Sequence, residues 1–291
     1  MTWLSVASIV IASVIVVWAL IAATGSMRWS QRTRRLFTRL QSECRTIRPS
    51  LVDLRETSSL PVPVRRWFEL SLRDGQPMIQ RVFLRQEGEI DLAGATPRWC
   101  RFRARQSVVL GRPGFAWSAR VSIVPGGWVG VHDSYVGGNG ALRAALLGWL
   151  TVADSSASRG TDRDEWLRFV AEAPWYPTAL LPSQGAHWTA IDDHSARVTL
   201  RDGSLEADLV FRFGEAGFVD TVSADARGRM VGKDTVPTKW LGRFWDHRER
   251  SGMRVPMAAE VAWVIDGEVK PYWRGRVLEI CHEPDPEQGE N

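Results

Sequence analysis

The chain has 291 residues, 44% of them hydrophobic and 24% charged, with a net charge of +4, a balance that fits a folded protein and excludes a disordered one. Seven arginines and one glutamate fall between residues 28 and 48, so residues 49–291 carry a net −2, and the bulk of the protein lacks the basic footprint of a nucleic-acid binder. Three widely separated cysteines, Cys44, Cys100 and Cys281, exclude a disulfide framework or a zinc ribbon.

From Thr2 to Met27 no side chain is charged, and Leu, Ile and Val crowd the stretch. At about 1.5 Å per residue, about 20 such residues cross the hydrocarbon core, which predicts a transmembrane helix over residues 3–24. No Lys or Arg precedes the run and it is too long for a signal peptide. Arg28, Arg32, Arg34, Arg35 and Arg39 follow at once. The positive-inside rule puts them, and the domain beyond, on the cytoplasmic side of the inner or plasma membrane. They also suit anionic lipid headgroups, at about 1 kcal/mol each near such a surface; the alternative is that they only set topology. Residues 25–59 are expected to form a basic juxtamembrane segment, its helix continuing or restarting along the membrane surface until Pro49 breaks it.

Residues 60–282 read as one globular domain. A short helix is predicted over Val62–Ser71, with Val64, Trp67 and Phe68 on its apolar side. From Met78 the period becomes two: Cys100, Phe102 and Ala104 alternate with Arg101, Arg103 and Arg105, and Phe115, Trp117, Ala119 and Val121 share a face. These are half-buried strands joined by Gly-rich turns, in meander order. The spacing of Leu142, Leu146, Trp149 and Leu150 predicts a helix over Gly140–Leu150, and Asp162-x-x-Glu165 predicts a second one starting at Asp162 and ending at Pro174. Strands resume near His187 and run to Ile280, with a polar loop over Gly232–Pro237. The tail from Glu283 to Asn291, acidic and rich in Pro and Gly, reads as disordered. The class is α+β, a mainly antiparallel sheet with inserted helices.

No P-loop, Gly-x-Ser-x-Gly, His-Glu-x-x-His or Cys-x-x-Cys occurs, so no cofactor or metal is expected. Glu172-Ala-Pro-Trp175-Tyr176-Pro-Thr-Ala-Leu-Leu-Pro182 is the most unusual stretch, its prolines stiffening the chain around two aromatics. Glu172 is either a carboxylate at the mouth of a pocket walled by Trp175 and Tyr176 or a helical partner of Arg168 at i,i+4. Gln106 shares the apolar face of Phe102, so its amide either finds internal partners or lines a cavity. His132 and Asp133 point to opposite sheet faces and cannot share a metal, which leaves His132 as a surface residue. Asp225 and Arg227 either fix an anionic group or begin a turn.

With these residues in view, the chain resembles a bacterial family known only as a domain of unknown function. The likeness rests on Leu60-Pro-x-Pro-Val-Arg-Arg-Trp67-Phe68, Trp99 with Phe102, Ala104 and Gln106, Gly114-Phe-x-Trp117, Glu172–Pro182, Asp225–Arg229, and Arg254-Val-Pro256 with Glu260 and Trp263. More loosely, long Trp-rich strands around inserted helices are similar to the half-barrel of outer-membrane lipoprotein carriers, which implies a curved, half-barrel-like sheet whose concave face holds acyl chains. The leading expectation is a membrane-tethered module binding a lipid or other hydrophobic ligand, lined by Trp117, Trp175, Trp188 and Trp263 and oriented by Gln106 and Glu172. One alternative is a hydrolase using Glu172 or Asp225 with Arg227; another is a protein-interaction domain at the membrane. Oligomeric state is not legible.

Overall fold

The computed structural model describes residues 3–92, 97–156, 158–232 and 234–284. The first element, α1 (Trp3–Ser42), is one unbroken helix of 40 residues. It runs through residue 25 without a break, and its two halves differ. From Val6 to Ile21 the large apolar side chains stand exposed, and the helix is long and apolar enough to cross a membrane. From Gly25 onward, residues every three or four positions face inward, with Trp29 and Leu40 buried and Leu36 and Phe37 packed beside them, the stripe that a docked helix requires.

After α2 (Val62–Ser71) come β1 (Ile79–Asp91), β2 (Trp99–Val109), β3 (Gly114–Val124), β4 (Gly127–Val136), β5 (Asn139–Leu146) and β6 (Leu150–Ser156). Helix α3 (Arg159–Ala171) and three short 3-10 turns between Ala173 and Gln184 follow. The chain ends with β7 (His187–Asp192), β8 (Ser195–Asp202), β9 (Leu205–Phe213), β10 (Val219–Val231), β11 (Asp234–Arg250), β12 (Met253–Ile265) and β13 (Glu268–Pro284). Among the described residues these strands form one open sheet in the order β6-β5-β4-β3-β2-β1-β13-β12-β11-β10-β9-β8-β7. Every pairing is antiparallel, and β1 with β13 joins two meanders back to back. The free edges β6 and β7 are therefore the two ends of the segment carrying α3.

Helix α3 contacts β3, β4 and β5 on one side and β9 and β10 on the other. Strands that far apart in the order can touch one helix only if the sheet curls around it. Glu165, Trp166, Leu167, Phe169, Val170 and Ala171 are all buried, as expected of a helix enclosed on all sides. Helix α2 fills the other part of the curve, where Trp67 and Phe68 meet Trp188 and Trp67 meets Phe211. The convex face over β2, β3 and β4 is covered by the second half of α1.

Four expectations are corrected. Gly140–Leu150 is not helical but forms β5 and its turn into β6. Pairing with β4 overrides the local spacing, and Gly140 is small because the Thr161 carbonyl lies 2.5 Å from where a Cβ would stand. The second helix starts three residues early, capped by Ser158, whose hydroxyl accepts from Thr161 N; Asp162 instead accepts from Gly140 N at 2.7 Å and ties α3 to β5. The polar loop before Pro237 is a β10–β11 hairpin in which Pro237 pairs with Gly228. His132 is not at the surface. It is buried against α1, stacked on Trp29 at 3.9 Å between ring centroids and 2.7 Å from Thr33 Oγ1. Of the acidic tail, residues 285–291 lie outside the described residues, and Glu283 and Pro284 belong to β13.

Candidate functional site: an ionic network beneath α3

Alternation along β4 sends His132 to α1 and Asp133 to α3, so Asp133 arrives beneath the helix with its side chain mostly buried. Glu165, Arg168 and Glu172 recur at three- and four-residue spacing and share one side of α3. Arg168 donates through Nη1 to Asp133 Oδ2 and through Nε to Glu172 Oε1, the latter at 2.7 Å. Gln106, fully buried on β2, donates to Glu172 Oε2. Arg227 reaches Glu165 at 3.7 Å from β10. Its inward orientation comes from a bulge between Ala224 and Arg227, since an extra residue re-aims the next side chain. Gly228 completes the contact: its N–H donates to Asp164 at 3.0 Å, and a Cβ there would lie 2.3 Å from that carboxylate.

Aromatic faces close over the cations. Arg168 stands over Phe115 and Trp117 at 4.8 and 5.4 Å, and Arg227 over Trp240 at 5.4 Å. Trp240 donates to the Tyr272 hydroxyl at 2.9 Å, and Tyr272 stacks on Trp263. Among the described residues one buried oxygen of the network, Gln106 Oε1, finds no hydrogen-bond partner, while the Glu165 and Asp133 carboxyls share a hydrogen bond. Burial, then the charge of Asp133, pushes the Glu165 carboxyl well above the ordinary range, which favours its neutral form. Burial works against the Arg168 charge, but Glu172, Asp133 and Glu165 outweigh it and raise its pKa. The chemistry available is a clamped set of charges beside one acid pushed toward its neutral form.

The structure thus brings Gln106, Glu172 and Arg227 of the expected residues into one network and adds Asp133, Glu165 and Arg168. The sequence pairs Arg168 with Glu172 and turns Asp133 away from His132, but it marks Glu165 only as the acid of a capping box, whereas the structure buries it. Trp117, Trp175 and Trp188 each spend their indole N–H inside the protein, on Gln86, the Pro256 carbonyl and the Leu180 carbonyl. The Tyr176 hydroxyl donates to the Phe169 carbonyl. Asp225 is exposed, and no contact of the network reaches it. The gap between Arg168, Arg227 and Trp240 has no room for a water molecule, so α3 fills the concave face. A polar groove of about 220 Å³ lies elsewhere, between Glu69, Arg73, Glu249 and Arg254. Among the described residues no group of three or more His, Cys, Asp or Glu converges to hold a metal. Of the juxtamembrane arginines, Arg28 covers Trp149 at 4.7 Å, Arg32 is half-buried, and Arg34, Arg35 and Arg39 are exposed.

An open antiparallel sheet curled around a helix, with a long apolar helix at its N-terminus, defines an α+β domain with a candidate membrane anchor. The chain belongs to a family of unknown function (DUF6920), which it matches over residues 58–282. It is also similar to the crystal structure of a LolA superfamily protein from Nitrosomonas europaea, with a TM-score of 0.40 at 10% identity over 77% of this chain and 94% of that one. No curated protein matches it.

Proposed function

We propose that the protein is a membrane-anchored binding module for a lipid or other hydrophobic ligand, closed by α3 in the conformation described and opened when the α3 segment lifts away. The observation that carries this reading is how α3 is seated. Under its apolar contacts lie four charged groups, Asp133, Arg168, Glu172 and Arg227, beside the Glu165 carboxyl and a Gln106 carbonyl oxygen that has no partner among the described residues. Such an unpartnered atom costs about 1–3 kcal/mol, and apolar groups of equal volume often hold a buried interface better than ion pairs do, by about 1–4 kcal/mol. A seat of this kind fixes the helix in one register yet lowers the cost of withdrawing it, because the charges regain water on leaving. Withdrawal would uncover Phe115, Trp117 and Trp240, an apolar wall suited to an acyl chain.

In this reading residues 3–24 span the inner or plasma membrane, Arg28, about 6 Å beyond the span along the unbroken helix, meets anionic headgroups, and the domain lies in the cytoplasm. The filled concave face favours a second reading, an interaction domain that presents its outer surfaces to a protein at the membrane. Native mass spectrometry of the detergent-purified full-length protein, followed by organic extraction, separates the two. A defined lipid retained in near-stoichiometric amount supports the module; an empty, well-folded protein favours the interaction domain.

A further inference from the structure

The apolar half of α1 leaves the domain against one rim of the sheet. Trp149, in the turn between β5 and β6, donates its indole N–H to the Ile21 carbonyl at 3.1 Å. A Cβ on Gly126, in the β3–β4 turn, would lie 3.6 Å from Trp18 Nε1. Gly25 is close enough to Leu147 that a Cβ would meet its carbonyl at 1.9 Å. The helix is unbroken between these contacts and its exposed half, so the rim and the apolar run are held on one element. Around the contacts, Val124, Trp149 and Leu150 are 52%, 45% and 63% exposed, with Arg28 over Trp149 and Arg120 over Trp128.

We propose that this rim, the β3–β4 and β5–β6 turns, is inserted in the interfacial layer of the bilayer that α1 crosses. The inference rests on the reading of residues 3–24 as a membrane span. Trp18 lies six residues before the end of that span, about 9 Å along the helix axis. Turns that touch the helix at Trp18 and Ile21 therefore sit at the depth where interfacial segments bury their apolar side chains, about 5–10 Å. Trp beside Arg is the composition that prefers this layer, with the ring at headgroup depth and the cation toward phosphate. The consequence is a domain held in one orientation by two contacts rather than swinging on a tether.

Single spin labels on the full-length protein in phosphatidylethanolamine–phosphatidylglycerol vesicles test this. The background carries Cys44→Ser and Cys281→Ser, and labels are placed by Val10→Cys in the span, Val124→Cys and Leu150→Cys at the rim, and Ile191→Cys on the exposed edge of β7 as an aqueous reference. The ratio of collision with oxygen to collision with a nickel chelate is expected to be several-fold higher at the span and at both rim sites than at residue 191. A lipid-facing Val10→Cys label with an aqueous label at either rim site overturns the rim contact and leaves the anchor standing. An aqueous label at residue 10 overturns both.

Discussion

Arg168 and Asp133 form an ion pair between α3 and β4, with both side chains withdrawn from solvent. Asp133→Ala leaves Arg168 buried with Glu172 as its remaining ion-pair partner and is expected to destabilise the protein by about 1–3 kcal/mol. Replacing Asp133, Arg168 and Glu172 together by Leu, Met and Leu should instead be neutral or stabilising, by up to about 4 kcal/mol. Urea unfolding of the full-length protein in detergent micelles measures both, and a triple variant weaker than the single one would show that the charges hold α3 better than apolar packing does.

Glu165 gives the network a pH dependence of definite sign. Its folded pKa lies above its unfolded one because of burial and the Asp133 charge. The stability it contributes is therefore complete below the unfolded value, about 4.3, and is lost as pH rises through the folded value. Glu165→Gln keeps the neutral form, so the variant is expected to match the parent near pH 4 and to melt higher at alkaline pH. A parent melting temperature that does not differ from the variant's between acidic and alkaline pH would contradict this.

His132 works in the opposite direction. Burial between sheet and helix lowers its pKa to about 4, with Arg32 and Arg143 contributing. Stability from the neutral ring is present above about 6.5 and is lost as pH falls toward about 4, a change on the order of 3 kcal/mol. His132→Phe keeps a ring against Trp29 and should flatten the melting curve over that interval. A slope that survives the substitution would place its origin elsewhere.

The approach of α1 to the sheet depends on Gly130, where a Cβ would stand 2.4 Å from the Trp29 indole. Gly130→Ala must push the helix outward, at a cost of about 1–3 kcal/mol. Limited proteolysis between Met27 and Arg45 should quicken. Unchanged cleavage would mean the helix can shift without loosening.

Much of the fold was legible because burial on one face forces period two. Cys100, Phe102, Ala104 and Gln106 all turn inward as their alternation requires, and α2 occupies the range its apolar side predicts. The opposite facing of His132 and Asp133 follows from the same rule, but the rule is silent on what covers each face. Alternation alone therefore puts His132 at the surface, whereas α1 covers it with Trp29 and Thr33. Gly140–Leu150 misled because Ala and Leu suit either period, and only pairing with β4 and the close approach of Thr161 decide between them. The site was half legible. Gln106 and Glu172 stood out as polar groups beside apolar neighbours, and Arg168 was paired with Glu172, whereas Glu165 and the inward turn of Arg227 depend on a bulge and on long-range packing that no local spacing encodes.

The central claim is that α3 closes the concave face and leaves it as a unit. Hydrogen–deuterium exchange of the full-length protein in lipid bilayers tests it most directly. Residues 159–181 are expected to exchange together, faster than β2 and β3 on the wall they cover, because their opening needs only part of the global unfolding free energy. Protection of residues 159–181 equal to that of β2 and β3 would contradict the claim and make α3 a permanent part of the core.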